Sequence, residues 1–184
     1  ELIYVGKNAD EQTKSKFAML SPLKSVPVLE LEDGTIITQC IAILEYLADQ
    51  YPQYNLLGKI GSKERLDTIK WLSFIASDLH KSFSPLFKLE QISLGNAATQ
   101  QNVRTWAHTN INKYFMILNN HLTDKSYLAA ERFSIADAYL FVVYQWTKYT
   151  NVSTQNYPNL SNYIERIARR NSIKSALQHE AQYL

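Results

Sequence analysis

The stretch SVPVLELEDGTIITQCIAILEYLADQY, running from Ser25 to Tyr51, reads as a strand, a tight turn, a second strand and a helix. Val26-Pro27 stands at the head of the first strand. Proline has no N–H for a central ladder and belongs at a strand start or a special turn. An X-Pro bond is also the one peptide bond where the cis form is cheap. Asp33-Gly34 lies between two apolar runs and signals a two-residue hairpin, because both positions tolerate positive φ. Thr38-Gln39-Cys40 then meets the apolar helix that begins at Ile41. A helix start leaves backbone N–H groups free and carries partial positive charge, so it suits a carboxylate.

Working outward, Glu1 to Gly6 is a short β-rich run closed by polar residues. Residues 10–20 read as weakly helical or irregular, and Ser21-Pro22 as a turn. Pro52 ends the helix near Tyr51. Residues 52–62, with Pro52, Gly58 and Gly61, read as a linker. Beyond them the pattern is helical. Leu66, Ile69, Leu72, Ala76, Leu79 and Phe83 make one apolar stripe, with Pro85 expected to bend or interrupt the helix. Val103, Trp106, Ala107, Ile111, Tyr114, Leu118 and Leu122 make a second. Ser134 and Asp137 form a capping box, with Asp in place of Glu, before a helix apolar nearly all round. Further helical segments follow around residues 160–168 and 173–177. The expected domains are 1–51 (α+β), the 52–62 linker, and an all-helical 63–184.

The 184 residues are 46% hydrophobic and 20% charged, with a net charge of +2. That composition folds as a globule, and so mild a charge gives no reason to invoke nucleic acid. One cysteine excludes an internal disulfide and fits a reducing, cytoplasmic compartment. No apolar run has the length of a membrane span, and neither HExxH nor CxxC occurs.

Ser25-Val26-Pro27, Asp33-Gly34 and Gln39-Cys40, with the helical stripes behind them, resemble the glutathione transferases, closest to the bacterial beta class. The resemblance implies a thioredoxin-like domain followed by a helical bundle, a two-fold homodimer, and no metal or prosthetic group. Glutathione would be a cosubstrate, joined through its thiolate to a small hydrophobic electrophile. In the family the Val-Pro bond is cis, and it would let Val26 pair with the cysteinyl backbone of glutathione like an added strand. Gln39 and the helix-start amides would hold the γ-glutamyl group. Cys40 would take the place of a serine, as a weaker donor. His80-Lys81 matches a beta-class pair in which an imidazole meets the thiol(ate) and a lysine meets a carboxylate. Ser73 stands near a family asparagine, and Lys7 near a family lysine.

Each residue also has a plain reading. Pro27 can be an ordinary strand start, Gln39 a capping or surface residue, and Cys40 a small buried thiol that a helix start would make modestly reactive. A lone helical histidine is often structural, and His80 and Lys81, being adjacent, point in different directions. Trp71, Trp106, Tyr139, Tyr144 and Trp146 read mostly as core, with some of the rings near Phe83–Phe87 and Trp146 available to an apolar substrate. The Ser134–Asp137 cap resembles the family's folding motif. The family's glycine before it is replaced, at the nearest position, by Ala130. The family opens with a strand and helix, on the order of 25 residues by element dimensions, before the run at 1–6. That unit carries its thiol-activating Tyr, Ser or Cys. The expectation is a sequence that starts late, so that this residue lies outside it. Two other functions share the fold: a non-catalytic ligand-binding protein, and a regulator like the stringent starvation proteins that contact RNA polymerase.

Overall fold

The computed structural model describes residues 2–6 and 8–183. The chain divides into two compact units, Glu1–Tyr54 with Ala176–Leu184, and Asn55–Ser175.

The first unit holds α1 (Glu11–Leu20), β1 (Val28–Glu30), β2 (Ile36–Thr38) and α2 (Cys40–Gln50), then a 3-10 turn at Pro52–Tyr54. Residues 10–20, expected to be weakly helical or irregular, hold a regular helix over Glu11–Leu20 with Asp10 as its cap. Asp10 accounts for it, accepting the Thr13 N–H at 2.9 Å and the Thr13 hydroxyl at 2.7 Å. β1 and β2 pair antiparallel, with Val28 opposite Thr38 and Glu30 opposite Ile36. The hairpin differs from expectation. This register leaves Glu32, Asp33 and Gly34 as a three-residue loop rather than a two-residue turn. Gly34 takes φ +83°, while Asp33 instead accepts the Thr35 N–H at 2.9 Å. That local bond removes the need for a second positive φ. The run at 2–6 joins no strand among the described residues. Among the described residues β1 and β2 pair only with each other, and Tyr4 instead stacks on Tyr183, centroids 6.1 Å apart. α2 packs on both strands and buries Ile43 and Ala48.

The second unit holds α3 (Lys63–Phe74), a π-helical turn (Ile75–Leu79), α4 (His80–Phe87), α5 (Leu89–Ser93), α6 (Ala97–His121), α7 (Ile135–Gln145), α8 (Thr147–Thr150) and α9 (Pro158–Ala168). α10 (Asn171–Glu180) carries the chain from this unit into the first. α7 packs against α3, the π turn and α9. Leu72, Ile75, Leu79 and Phe83 are fully buried along α3–α4. Each such side chain contributes roughly 1.5–3 kcal/mol of burial. Two stripe members fall elsewhere: Leu66 is 70% exposed and Trp106 59%. Leu66 precedes Leu72 by six residues, about 600° of helical rotation, which turns it to another face. Trp106 is one residue, about 100°, from the buried Ala107. Pro85 does not end its helix, which runs on to Phe87. The irregularity lies about two turns earlier, in the π segment.

The segment after Tyr54 is tied to the helices that follow it. The Ile135 N–H donates to the Leu56 C=O at 3.0 Å. Arg132 donates from Nε to the Asn55 C=O at 3.0 Å and pairs with Glu64 at 2.6 Å, and Leu57 is buried.

The start of α7 is organised by one carboxylate. Asp137 is fully buried. Its Oδ2 accepts the Ser134 N–H at 2.7 Å and the Ser134 hydroxyl at 2.6 Å. Its Oδ1 accepts the Leu128 N–H at 2.9 Å and the Tyr163 hydroxyl at 2.6 Å. Burial, and then the Asp137 charge, push the Tyr163 phenol well above its usual range. Ala130, in the loop this network holds, has φ +53°. A side chain there costs about 1–2 kcal/mol that glycine avoids.

Two stability measurements follow. Asp137→Ala leaves four buried donors without an acceptor and lowers the unfolding free energy in urea by roughly 3 kcal/mol. Ala130→Gly raises it by about 1 kcal/mol, a gain net of the extra freedom glycine gives the unfolded chain.

Candidate functional site

In the first unit, Ser21 prepares the approach to Val26-Pro27. This buried serine ends α1. Its hydroxyl donates to the Ser25 C=O at 3.0 Å and accepts the Ser25 N–H at 3.1 Å. Ser25 in turn donates to the Leu23 C=O at 3.1 Å. The loop is therefore fixed before the chain enters the cis Val26-Pro27 bond. Val26 and Pro27 are both exposed. Val26 precedes the first paired residue of β1 by two positions, and its backbone has no hydrogen-bond partner among the described residues. Beyond the turn expected at Ser21-Pro22, the Ser21 hydroxyl thus has a role of its own. A serine directly after a helix and before proline was the available signal.

Gln39 caps α2 with φ 72° and ψ 118°. A non-glycine residue in such a conformation costs about 1–3 kcal/mol, and such strain gathers at ligand sites. Its C=O accepts the Ile43 N–H at 3.1 Å. Its exposed side chain makes no cap bond to the helix. The N–H groups of Cys40, Ile41 and Ala42 lie in the first turn, where no intrahelical acceptor exists. No acidic side chain shares that turn. The result is a set of donors, positive at the helix start, with an amide beside them, and in the same unit an unpaired backbone at Val26, just before β1. Such a set can hold a carboxylate and an extended peptide. Cys40 is half-buried, and burial pushes its thiol up from the usual 9.0. That opposes the thiolate character expected of a helix start.

In the second unit, His80 follows the π turn. Its Nδ1 lies 2.8 Å from the Tyr139 hydroxyl on α7. Its ring meets the Trp146 ring edge-on at 4.6 Å, and Phe83 and Phe87 pack on the same indole at 5.8 and 5.4 Å. Burial first, and then the neighbouring Lys81 charge, lower the His80 pKa below 6.5. Lys81 and Ser73 are both exposed. The Ser73 C=O accepts the Ser77 hydroxyl at 2.7 Å. Val26, Pro27, Gln39 and Cys40 thus share the first unit, and Ser73, His80 and Lys81 the second. Lys7 lies outside the described residues. Tyr139 was not expected as a partner of His80: the two are 59 residues apart in sequence, and nothing local links them.

His121 is also held below 6.5, chiefly by burial, with its Nε2 2.8 Å from the Leu128 C=O. For both histidines the unfolded chain takes up a proton at a higher pH than the folded one. Their contribution is fully present above about pH 6.5 and is lost as the pH falls through the folded values. Urea midpoints should therefore drop between pH 7 and 5.5, and the double variant H80Q/H121Q should show a flatter profile over that interval.

Residues 70–171 match the family described as Glutathione S-transferase, C-terminal domain, and residues 2–50 match Glutathione S-transferase, N-terminal domain. Glutathione S-transferase GstA of Escherichia coli O157:H7 is 34% identical over 161 residues, 88% of this chain and 76% of its own. A bacterial beta-class glutathione S-transferase of Sphingomonas chungbukensis superposes with a TM-score of 0.80 at 36% identity, over 89% of this chain and 78% of its own. A sphingomonad glutathione S-transferase complexed with glutathione gives 0.80 at 33% identity, over 90% and 78%. Among the described residues no helix is long and apolar enough to cross a membrane. With a thioredoxin-like unit on a short two-stranded sheet, a helical second unit, and matches along both, this chain belongs to the glutathione S-transferase family.

Proposed function

We propose that this protein binds glutathione and joins its sulfur to small hydrophobic electrophiles. The observation that carries the reading is Gln39. It is held at positive φ on the start of α2, with its side chain uncommitted to the cap and no acidic residue in the first turn. The γ-glutamyl carboxylate takes the free N–H groups there, and Gln39 adds a hydrogen bond. The cysteinyl backbone pairs with Val26, beside Pro27. Cys40, its thiol pushed up by burial, packs against the bound peptide and is not the nucleophile.

In the reaction the glutathione thiol gives up its proton to water, and the thiolate sulfur attacks an electrophilic carbon. A C–S bond forms as the leaving group departs with its bonding pair, or as a conjugated double bond takes up the electrons. The site favours this by raising the thiolate fraction and by holding the two reactants together. From the second unit we assign His80 to the thiol(ate), on its motif and its held ring, and Lys81 to a glutathione carboxylate. Ser73 and Lys7 are assigned lesser contacts to glutathione. The reaction needs neither metal nor prosthetic group, the protein works as a homodimer, and its setting is the cytoplasm, where conjugation removes reactive compounds.

Retention on immobilised glutathione and a conjugation assay test the reading together. Retention with turnover is expected. Failure of both removes it, and retention without turnover makes the protein a ligand-binding relative instead. Gln39→Ala should weaken glutathione binding about tenfold by calorimetry, the size of one hydrogen bond to a charged group. An unchanged Kd takes Gln39 out of the site.

A further inference from the structure

Inside the second unit, α3 and α6 meet through side-chain rings. Trp71 lies against His121, centroids 4.3 Å apart and planes tilted by 44°, and Phe74 meets Tyr114 edge-on at 5.6 Å. Trp71 is 6% exposed, and its Nε1 is sealed from solvent with no hydrogen-bond partner among the described residues. A buried N–H without an acceptor destabilises a fold, so each such group calls for a physical reason. The neighbouring imidazole supplies one. His121 Nε2 lies 2.8 Å from the Leu128 C=O. A carbonyl oxygen only accepts, so Nε2 carries the proton. Nδ1 of the neutral ring therefore keeps its lone pair, and the face of the ring remains an acceptor for the indole beside it.

We propose that neutral His121 accepts the Trp71 N–H, and that a proton taken up at Nδ1 turns this attraction into repulsion, making the α3–α6 seam an acid-sensitive joint. An imidazolium has two N–H donors and a positive ring, so nothing in it is left to accept. The buried indole N–H then meets a cation. The bond from Nε2 to Leu128 survives, because Nε2 stays a donor, and the change falls on the Trp71 contact. Burial most of all, then the charges of Lys125 beyond α6 and Lys70 on α3, disfavour the second proton, while the Leu128 C=O and Asp67 on α3 favour it. Lys70 pairs with Asp67 and stands 5.2 Å from the Trp71 ring centre. The indole thus already carries one cation, which opposes a second gaining by cation–π attraction. α3 carries Ser73 and runs through the π turn into α4, which begins at His80 and Lys81. The joint sits on the helix that leads to the candidate residues of this unit, yet it stands on its own contacts and not on the proposed glutathione reaction.

NMR of the full chain without ligand tests the joint. The Trp71 indole signal is assigned by elimination with Trp106→Phe and Trp146→Phe. The His121 ring is assigned with His121→Gln, which keeps a donor for the Leu128 C=O and does not titrate. The Trp71 indole N–H, its exchange corrected for the intrinsic rate, should lose about tenfold in protection between pH 7.5 and 5.5, the loss of one hydrogen bond. In His121→Gln the protection should not change with pH, while His80→Gln should keep the wild-type dependence. Trp71→Phe retains an aromatic face without the N–H, and should move the His121 titration midpoint up. Protection that is flat in the wild type, or that still falls in His121→Gln, overturns the proposal. So does a midpoint that stays or drops in Trp71→Phe, which would make the imidazolium a partner of the ring face. If Trp71→Phe fails to fold, the wild type and His121→Gln decide between them. A failure to bind glutathione leaves each of these outcomes standing.

Discussion

A buried carboxylate holds the second unit in register. Asp137 gathers four donors from three parts of the chain: the loop at Leu128, the cap at Ser134 and the helix α9 at Tyr163. A charge taken out of water is tolerated when each of its lone pairs is used. Here that requirement ties the end of the loop, the start of α7 and the neighbouring α9 to one another. Further ties meet the same corner. His121 bonds to the Leu128 C=O, and the backbone of Ile135 bonds to Leu56. α7 then places Tyr139 one turn along, where it meets His80. The folding device and the candidate chemistry thus share a helix, and the precision of one rests on the rigidity of the other.

The first unit depends on a different constraint. It is small, with two short strands, and buries few large side chains. Its candidate ligand groups are backbone groups whose positions are set by local bonds. Ser21 fixes the loop before Val26-Pro27, and the strand register fixes the distance from that edge to Thr38. The strained Gln39 turns the chain directly from β2 into α2. Backbone donors in such a frame need little reorganisation when a ligand arrives, which favours binding even where side chains are sparse.

Much of this was legible in the sequence. The Ser134–Asp137 cap was readable because a capping box has a fixed spacing, and the Val26-Pro27, hairpin and Gln39-Cys40 order was readable because each piece is local. What escaped was set by distance or by competition between local effects. Tyr139 reaches His80, and Tyr163 reaches Asp137, across turns that no periodicity links. Leu66 and Trp106 are apolar near the right period but out of phase with the buried face. Asp33 favoured a three-residue loop because its carboxylate reached Thr35. At Cys40, burial worked against the field of the helix start. Ala130 departs from the family's glycine, and its positive φ supplies the physical meaning of that departure.

The central claim is that Val26 and the start of α2 hold glutathione. Backbone amide shifts followed through a glutathione titration of the full chain test it at the residues concerned. The account predicts saturable changes largest at Val26 and at Gln39, Cys40, Ile41 and Ala42. Saturable changes confined to other parts of the chain, with these amides unmoved, would contradict it.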